Sequence, residues 1–215
     1  MIDSLRDRYH DLPAPVRDCC HAFAVHPGLE PGLPVLAAVL ATDESSTGRY
    51  IGQLIDAGLV QPEPGGGRFR MRSQALRHAT VDIHADPPRE RLLTARLSDW
   101  YLARTLAAST VVAPFRTPDP VPAACPDRCA AGLATAADAL TWLHAERANL
   151  LALARARKDD DPHMVWSLLD AMRVLFEVHG FTDDRLEASV MALDCAEKAG
   201  DPARISHAWR RADWA

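Results

Sequence analysis

Lysine is almost missing from this chain. Of 24 basic residues only Lys158 and Lys198 are lysines, a bias that reads as codon usage rather than function. Positive charge is also outweighed: 29 acidic residues leave a net charge of −5, which exerts no global pull toward nucleic-acid phosphate. The five cysteines are odd in number and include the adjacent pair Cys19 and Cys20, a poor disulfide framework that suits a reducing compartment. No uncharged apolar run approaches the roughly 18 residues a membrane span needs. The opening "MIDSLRDRYHDL" has no apolar core of the kind a secretory signal requires. No membrane partner is expected, and the cytoplasm is the default location.

What is present suits a folded, water-soluble chain. The 215 residues are 48% hydrophobic and 25% charged, enough for one sizeable domain or two small ones. "PAPVRDCCHAFAVH" (13–26) carries Val16, Cys19, Cys20, Phe23 and Ala24 on one helical stripe. "PGLEPG" ends it. "LPVLAAVLA" (33–41) predicts a short buried helix, and "SSTGRYIGQLIDAGLV" another, N-capped by its serines and stopped at Gly58. The period then changes. Leu59-Val60, a glycine turn, and alternating Phe69 and Met71 predict a β-hairpin. Three helices and a hairpin is the order of a winged helix-turn-helix.

Helices are predicted next over about 73–81 and 89–111, the second with Leu92, Leu93, Leu97, Trp100, Tyr101 and Leu106 on its stripe. Five prolines between 113 and 135 forbid regular structure, so residues 112–134 are expected to be an irregular loop. Thereafter the chain reads as helices of about 15 residues joined by short Gly/Asp turns, with a last one beginning at "PARISHAWRRADWA". Such pairing predicts an α-solenoid, and one that stops without a polar cap leaves an open face for self-association.

"TWLHAERANLLALARAR" (141–157) contains His144-Ala145-Glu146, and "CPDRC" (125–129) lies upstream. A zinc-dependent deaminase uses His-x-Glu with two later cysteines spaced Cys-x-x-Cys. Here the cysteines come first, are separated by three residues, and lie in a Pro-rich stretch of a nearly all-helical chain, so no catalytic zinc is expected. A structural zinc site from Asp18, Cys19, Cys20, His21, Cys125 and Cys129 has enough ligand types. Cys19 and Cys20, however, fall on an apolar stripe where small buried thiols are common. No nucleophile-elbow pattern occurs. His10, His163, His179 and His207 are expected at the surface or at helix ends.

On that same helix Trp142, Glu146 and Asn149 share a face. "ADALTWLHAERANLLAL" resembles a segment of the bacterial AfsR/SARP-type STAND regulators, large proteins with an NB-ARC-like ATPase. Their Ala-x-x-Trp-Leu-x-x-Glu-x-x-Asn-Leu pattern at the entry to tetratricopeptide (TPR) repeats is matched at Ala139, Trp142, Leu143, Glu146, Asn149 and Leu150. "LPAPVRDCCHAFAVHPG" resembles the family's first winged-helix segment. "LIDAGLVQPEPGGGRFRMRSQALRHA" resembles its recognition-helix end, wing and following helix, and "RLSDWYLARTLAA" the long helix after it. The likeness covers about Asp11 to Trp209.

Two departures matter. No G-x-x-x-x-G-K-[ST] loop occurs, since "GGGRF" lacks the lysine and hydroxyl that hold phosphate and magnesium. The family's Met-His-Asp-like nucleotide sensor is replaced by Met71, Arg72 and Ser73, which reads as a sensor decayed in the absence of nucleotide, although Arg72 offers a cation to a phosphate. No cofactor is expected. For DNA, the helix over about 46–57 offers Arg49 and Gln53, and the wing offers Arg68 and Arg70. Residues 1–86 nevertheless hold 8 arginines against 11 acidic residues, a net of −3, poor equipment for neutralising several phosphates. The resemblance implies a mainly α protein: a winged helix over 10–84, then a helical bundle over 86–215 leading into an incomplete TPR-like solenoid. The function expected is binding rather than catalysis, with a protein partner on the helical half. Alternatives are a dimeric DNA-binding regulator and an accessory protein that titrates a full-length regulator.

Overall fold

The structure is a computed structural model that describes residues 4–28, 30–116 and 131–205. It is mainly helical with one small antiparallel sheet. The chain divides into two compact units, Met1–Leu97 and Ser98–Ala215. No helix among the described residues is long and apolar enough to cross a membrane.

The first unit contains α1 (Ser4–His10), α2 (Ala14–Val25), α3 (Leu33–Leu40), α4 (Glu44–Asp56), β1 (Val60–Pro62), β2 (Phe69–Met71) and α5 (Ser73–His84). Pro15 lies in the first turn of α2 and Pro34 in that of α3, where a missing N–H costs nothing. Val16, Cys19 and Phe23 of α2 are buried, and α2 packs on α3, α4 and α5. The cap of α4 is Asp43 rather than a serine: its carboxylate accepts the Ser46 N–H at 2.8 Å. At the far end, Gly58 adopts φ 69°, and the Leu59 N–H reaches back to the Leu54 carbonyl at 2.9 Å. The hairpin pairs Val60 with Met71 and Pro62 with Phe69, and Gly32 adds a bridge to Arg68.

The short helix α1 was not apparent in the sequence. Its Tyr9 is fully buried, with its hydroxyl 3.4 Å from His21 Nε2, and Arg8 donates to the Ala57 carbonyl at the end of α4 at 2.7 Å. One aromatic ring and one guanidinium thus dock a helix too short for an apolar period to reveal it.

The second unit begins inside α6 (Pro87–Val112). The sequence places the break earlier, at 84–86. The start of α6 belongs instead with the first unit, because Arg89 pairs with Asp18 at 2.7 Å, Arg96 donates to the Val39 carbonyl at 3.3 Å, and Leu93 and Leu97 are buried. Beyond it stand α7 (Ala136–Arg157), α8 (Pro162–His179) and α9 (Thr182–Lys198). Thr135 and Asp138 form a reciprocal capping box at the start of α7, and Asp161 caps α8. Each helix packs on the next around Leu143, Leu150, Leu168, Met172 and Leu175, all fully buried. Ala188 and Ala196, both buried, let α9 lie close to α8. Arg155 and Glu187 then clamp α7 to α9 with two hydrogen bonds of 2.5 and 2.7 Å. Most of the Pro-rich stretch and the end of the last predicted helix lie outside the described residues.

Two stability predictions follow from these contacts. Ala41 ends α3 in the left-handed region, φ 54° and ψ 41°, where a Cβ is penalised. Ala41→Gly should therefore raise the unfolding free energy by about 0.5–1 kcal/mol in urea titrations. Burial holds the His21 pKa below the ordinary 6.5, against the opposing pull of Asp18. The unfolded chain binds a proton near 6.5 that the folded chain refuses, so this contribution is intact above 6.5 and lost as pH falls toward the folded value. Between about pH 7.5 and about pH 5, the melting temperature should fall further for the wild type than for His21→Gln.

Candidate functional site

Two groups of residues compete as the working surface. The first lies on α4 and the hairpin. Thr47, Ile51 and Leu54 face inward and are buried, which turns Arg49 and Gln53 to solvent. Arg49 donates to the hydroxyl of its neighbour Ser46 at 2.9 Å. Beside them, a Cβ placed on Gly48 or Gly52 would meet nothing within 4 Å, so α4 presents an open flank.

The hairpin arginines are engaged elsewhere. Arg68 donates to the Glu30 carbonyl at 2.8 Å. Arg70 is held between two carboxylates, Glu63 at 2.5 Å and Glu30. The cluster of one guanidinium and two carboxylates therefore has a net local charge of the wrong sign for phosphate. Met71 is 5% exposed and paired with Val60. Arg72 stands exposed ahead of α5, and Ser73 is its exposed first residue. Met71, Arg72 and Ser73 do not converge on one point, because Met71 ends β2 turned inward while Arg72 and Ser73 beyond it are exposed.

The second group is on α7. Glu146 and Asn149 are 6% and 5% exposed. Glu146 accepts from the Tyr101 hydroxyl at 3.0 Å and from Asn149 Nδ2 at 2.8 Å, both at Oε2. Tyr101 comes from α6 and is fully buried. One turn away, Trp142 meets Trp100 edge to face at 6.2 Å between centroids. The Arg104 guanidinium lies 5.0 Å from the Trp142 ring and 5.7 Å from Trp100, within cation–π range. The face shared by Trp142, Glu146 and Asn149 is thus a clamp that seats α7 on α6. Sequence reasoning found its α7 half and missed Tyr101 and Arg104. The sequence places Tyr101 on the apolar stripe of α6, and nothing in local spacing shows which helix will receive a hydroxyl.

His144 lies apart from Glu146, exposed and in tilted ring contact with Phe181 at 5.3 Å and His179 at 5.9 Å between centroids. Phe181 itself is held at φ 43° under the Arg147 guanidinium, 3.8 Å from the ring centroid, with Arg147 tied to Asp184 at 2.8 Å. The imidazole and the carboxylate of His-x-Glu therefore serve separate contacts. Cys19 and Cys20 are fully buried. Burial pushes the Cys19 thiol up to about 12 and raises that of Cys20 as well. Neither is a ready thiolate. Cys125 and Cys129, like His207, lie outside the described residues. Among the described residues no group of three or more His, Cys, Asp or Glu side chains is arranged to hold a metal ion.

No protein-family model, curated protein or solved structure matches this chain. The site is defined by its own geometry.

Glu146→Ala would strand two buried donors. It is expected to cost about 2–3 kcal/mol in chemical denaturation, whereas Tyr101→Phe, which takes one donor from the carboxylate but leaves that of Asn149, should cost less, about 1–1.5 kcal/mol. Equal costs would show that the carboxylate is not the centre of the clamp.

Proposed function

We propose that this chain is a non-catalytic regulatory module that binds a protein partner through its helical half, as the winged-helix and repeat-entry portion of a STAND-type transcriptional regulator would. In this assignment the first unit is a winged helix-turn-helix used for packing. The second is a helical bundle opening into an incomplete TPR-like array. The setting is cytoplasmic transcriptional or signalling control, without nucleotide or metal. The observation that carries the proposal is the clamp of Tyr101, Glu146 and Asn149. The residues on which the resemblance rests join one helix to another, as repeat-entry residues should, and present no reactive group. The antiparallel succession of α7, α8 and α9, each packed on the next, supports the same assignment.

A second reading has its own observation. Arg49 and Gln53 are exposed on α4 beside open space at Gly48 and Gly52, where a groove-binding helix would need them. The pairing of Arg70 with Glu30 and Glu63 weighs against it. Fluorescence anisotropy with duplex DNA over a salt series decides between the two. No binding at low salt, where phosphate contacts are strongest, is expected. Steeply salt-dependent binding that Arg49→Glu abolishes, with a dimer in light scattering, would transfer the assignment to a DNA reader. An accessory protein that titrates a full-length STAND regulator would co-elute with that regulator in size-exclusion chromatography.

A further inference from the structure

The outer face of α9 carries a stripe that the fold does not use. Its inner face, Ala188, Met191 and Cys195, is buried on the rest of the second unit. On the opposite side, Leu186 is 52% and Val190 60% exposed, with Leu193 half-buried in line with them. Asp183 and Glu197 are exposed at the two ends of the same line. The spacing 183, 186, 190, 193, 197 alternates three and four, so all five side chains share one face. The stripe spans about 21 Å at 1.5 Å per residue.

Its charges are distinctive. The other acidic residues of α9 are paired: Asp184 with Arg147 and Glu187 with Arg155 on α7, and Asp194 with Lys198 one turn along α9 itself. Asp183 and Glu197 have no ion-pair partner among the described residues. Glu197 also lies in the last turn of α9, where the carbonyl ends of the helix repel a carboxylate. Its neighbour Lys198 is committed to Asp159 at 2.6 Å and Asp194 at 2.8 Å. An apolar seam about two turns long is therefore bounded at each end by an exposed carboxylate with no ion-pair partner among the described residues.

We infer that this face of α9 docks an amphipathic helix of a partner protein, one with an apolar three-four stripe and basic residues at both ends. The inference rests on the reading of the second unit as a partner-binding module and names its surface. Leucine and valine supply the seam, and Asp183 and Glu197 select the charge and register of what lies on it. A second copy of α9 would bring acid against acid or against the apolar seam, which the end charges disfavour.

The test uses the full chain and two labelled synthetic helices with the same leucine stripe, one ending in lysines and one in glutamates. The lysine peptide is expected to bind about tenfold more tightly than the glutamate peptide at low salt. Leu186→Asp, an exposed substitution, should weaken the lysine peptide at least tenfold, with Val190→Asp as an independent second variant. Glu197→Lys should narrow or reverse the preference between the peptides. Unchanged melting of each variant would show that the fold is intact. Equal binding of the two peptides, or none, would overturn the inference. Binding that survives both Leu186→Asp and Val190→Asp would overturn it too, while leaving partner binding on another face of the helical half. Failure of the broader reading appears separately, as salt-dependent binding to duplex DNA.

Discussion

A single buried carboxylate organises the second unit. Glu146 sits almost out of reach of water, and taking an ionisable group there is expensive unless its oxygens are met by donors. Tyr101 and Asn149 meet it. The consequence is register. Tyr101 is fixed on α6 and Glu146 on α7, so the two helices cannot slide past each other without breaking the pair. Trp142 then falls beside Trp100, with Arg104 against both rings. The ion pairs from α7 to α9, Arg147 with Asp184 and Arg155 with Glu187, are formed between helices whose positions are already set. Being part-exposed, they add little individually.

The first unit is held differently. Its core is apolar, but its edges are closed by arginines that terminate other elements. Arg8 ends α4, Arg68 ties the hairpin to Glu30, and Arg70 bridges Glu30 and Glu63. Cations that a nucleic-acid reader would direct outward are spent on stitching the unit together. This is a local fact about charge, and the net count of −3 over residues 1–86 points the same way without locating it.

Much of this architecture was legible in the chain. The helices over 14–25 and 33–40 announce themselves by an apolar stripe or run and proline starts, and the hairpin by a change of period across three glycines. The helix over 136–157 is legible from its start at Thr135 or Ala136, and the Trp-Glu-Asn spacing marks one of its faces. Three things were not legible. The helix over 4–10 is too short for periodicity and is docked by Tyr9 and Arg8. The division of the chain inside α6 depends on which unit Arg89 and Arg96 reach. The cap of α4 moved to Asp43, because an exposed carboxylate two residues before the serines was better placed to accept the Ser46 N–H.

The sequence by itself determined that the chain is mainly helical, where most helices begin and end, and which residues form the Trp142, Glu146 and Asn149 face. These are local properties, set by side-chain period, capping and the conformational demands of proline and glycine. Only the tertiary structure decided what those residues do. It brought Tyr101 to Glu146 from 45 positions away, turned Arg70 onto two carboxylates rather than into solvent, and left Leu186 and Val190 uncovered. The physical reason is that a hydrogen bond, an ion pair or a buried surface needs two partners. One strand of sequence names each partner separately, and only packing brings them within reach.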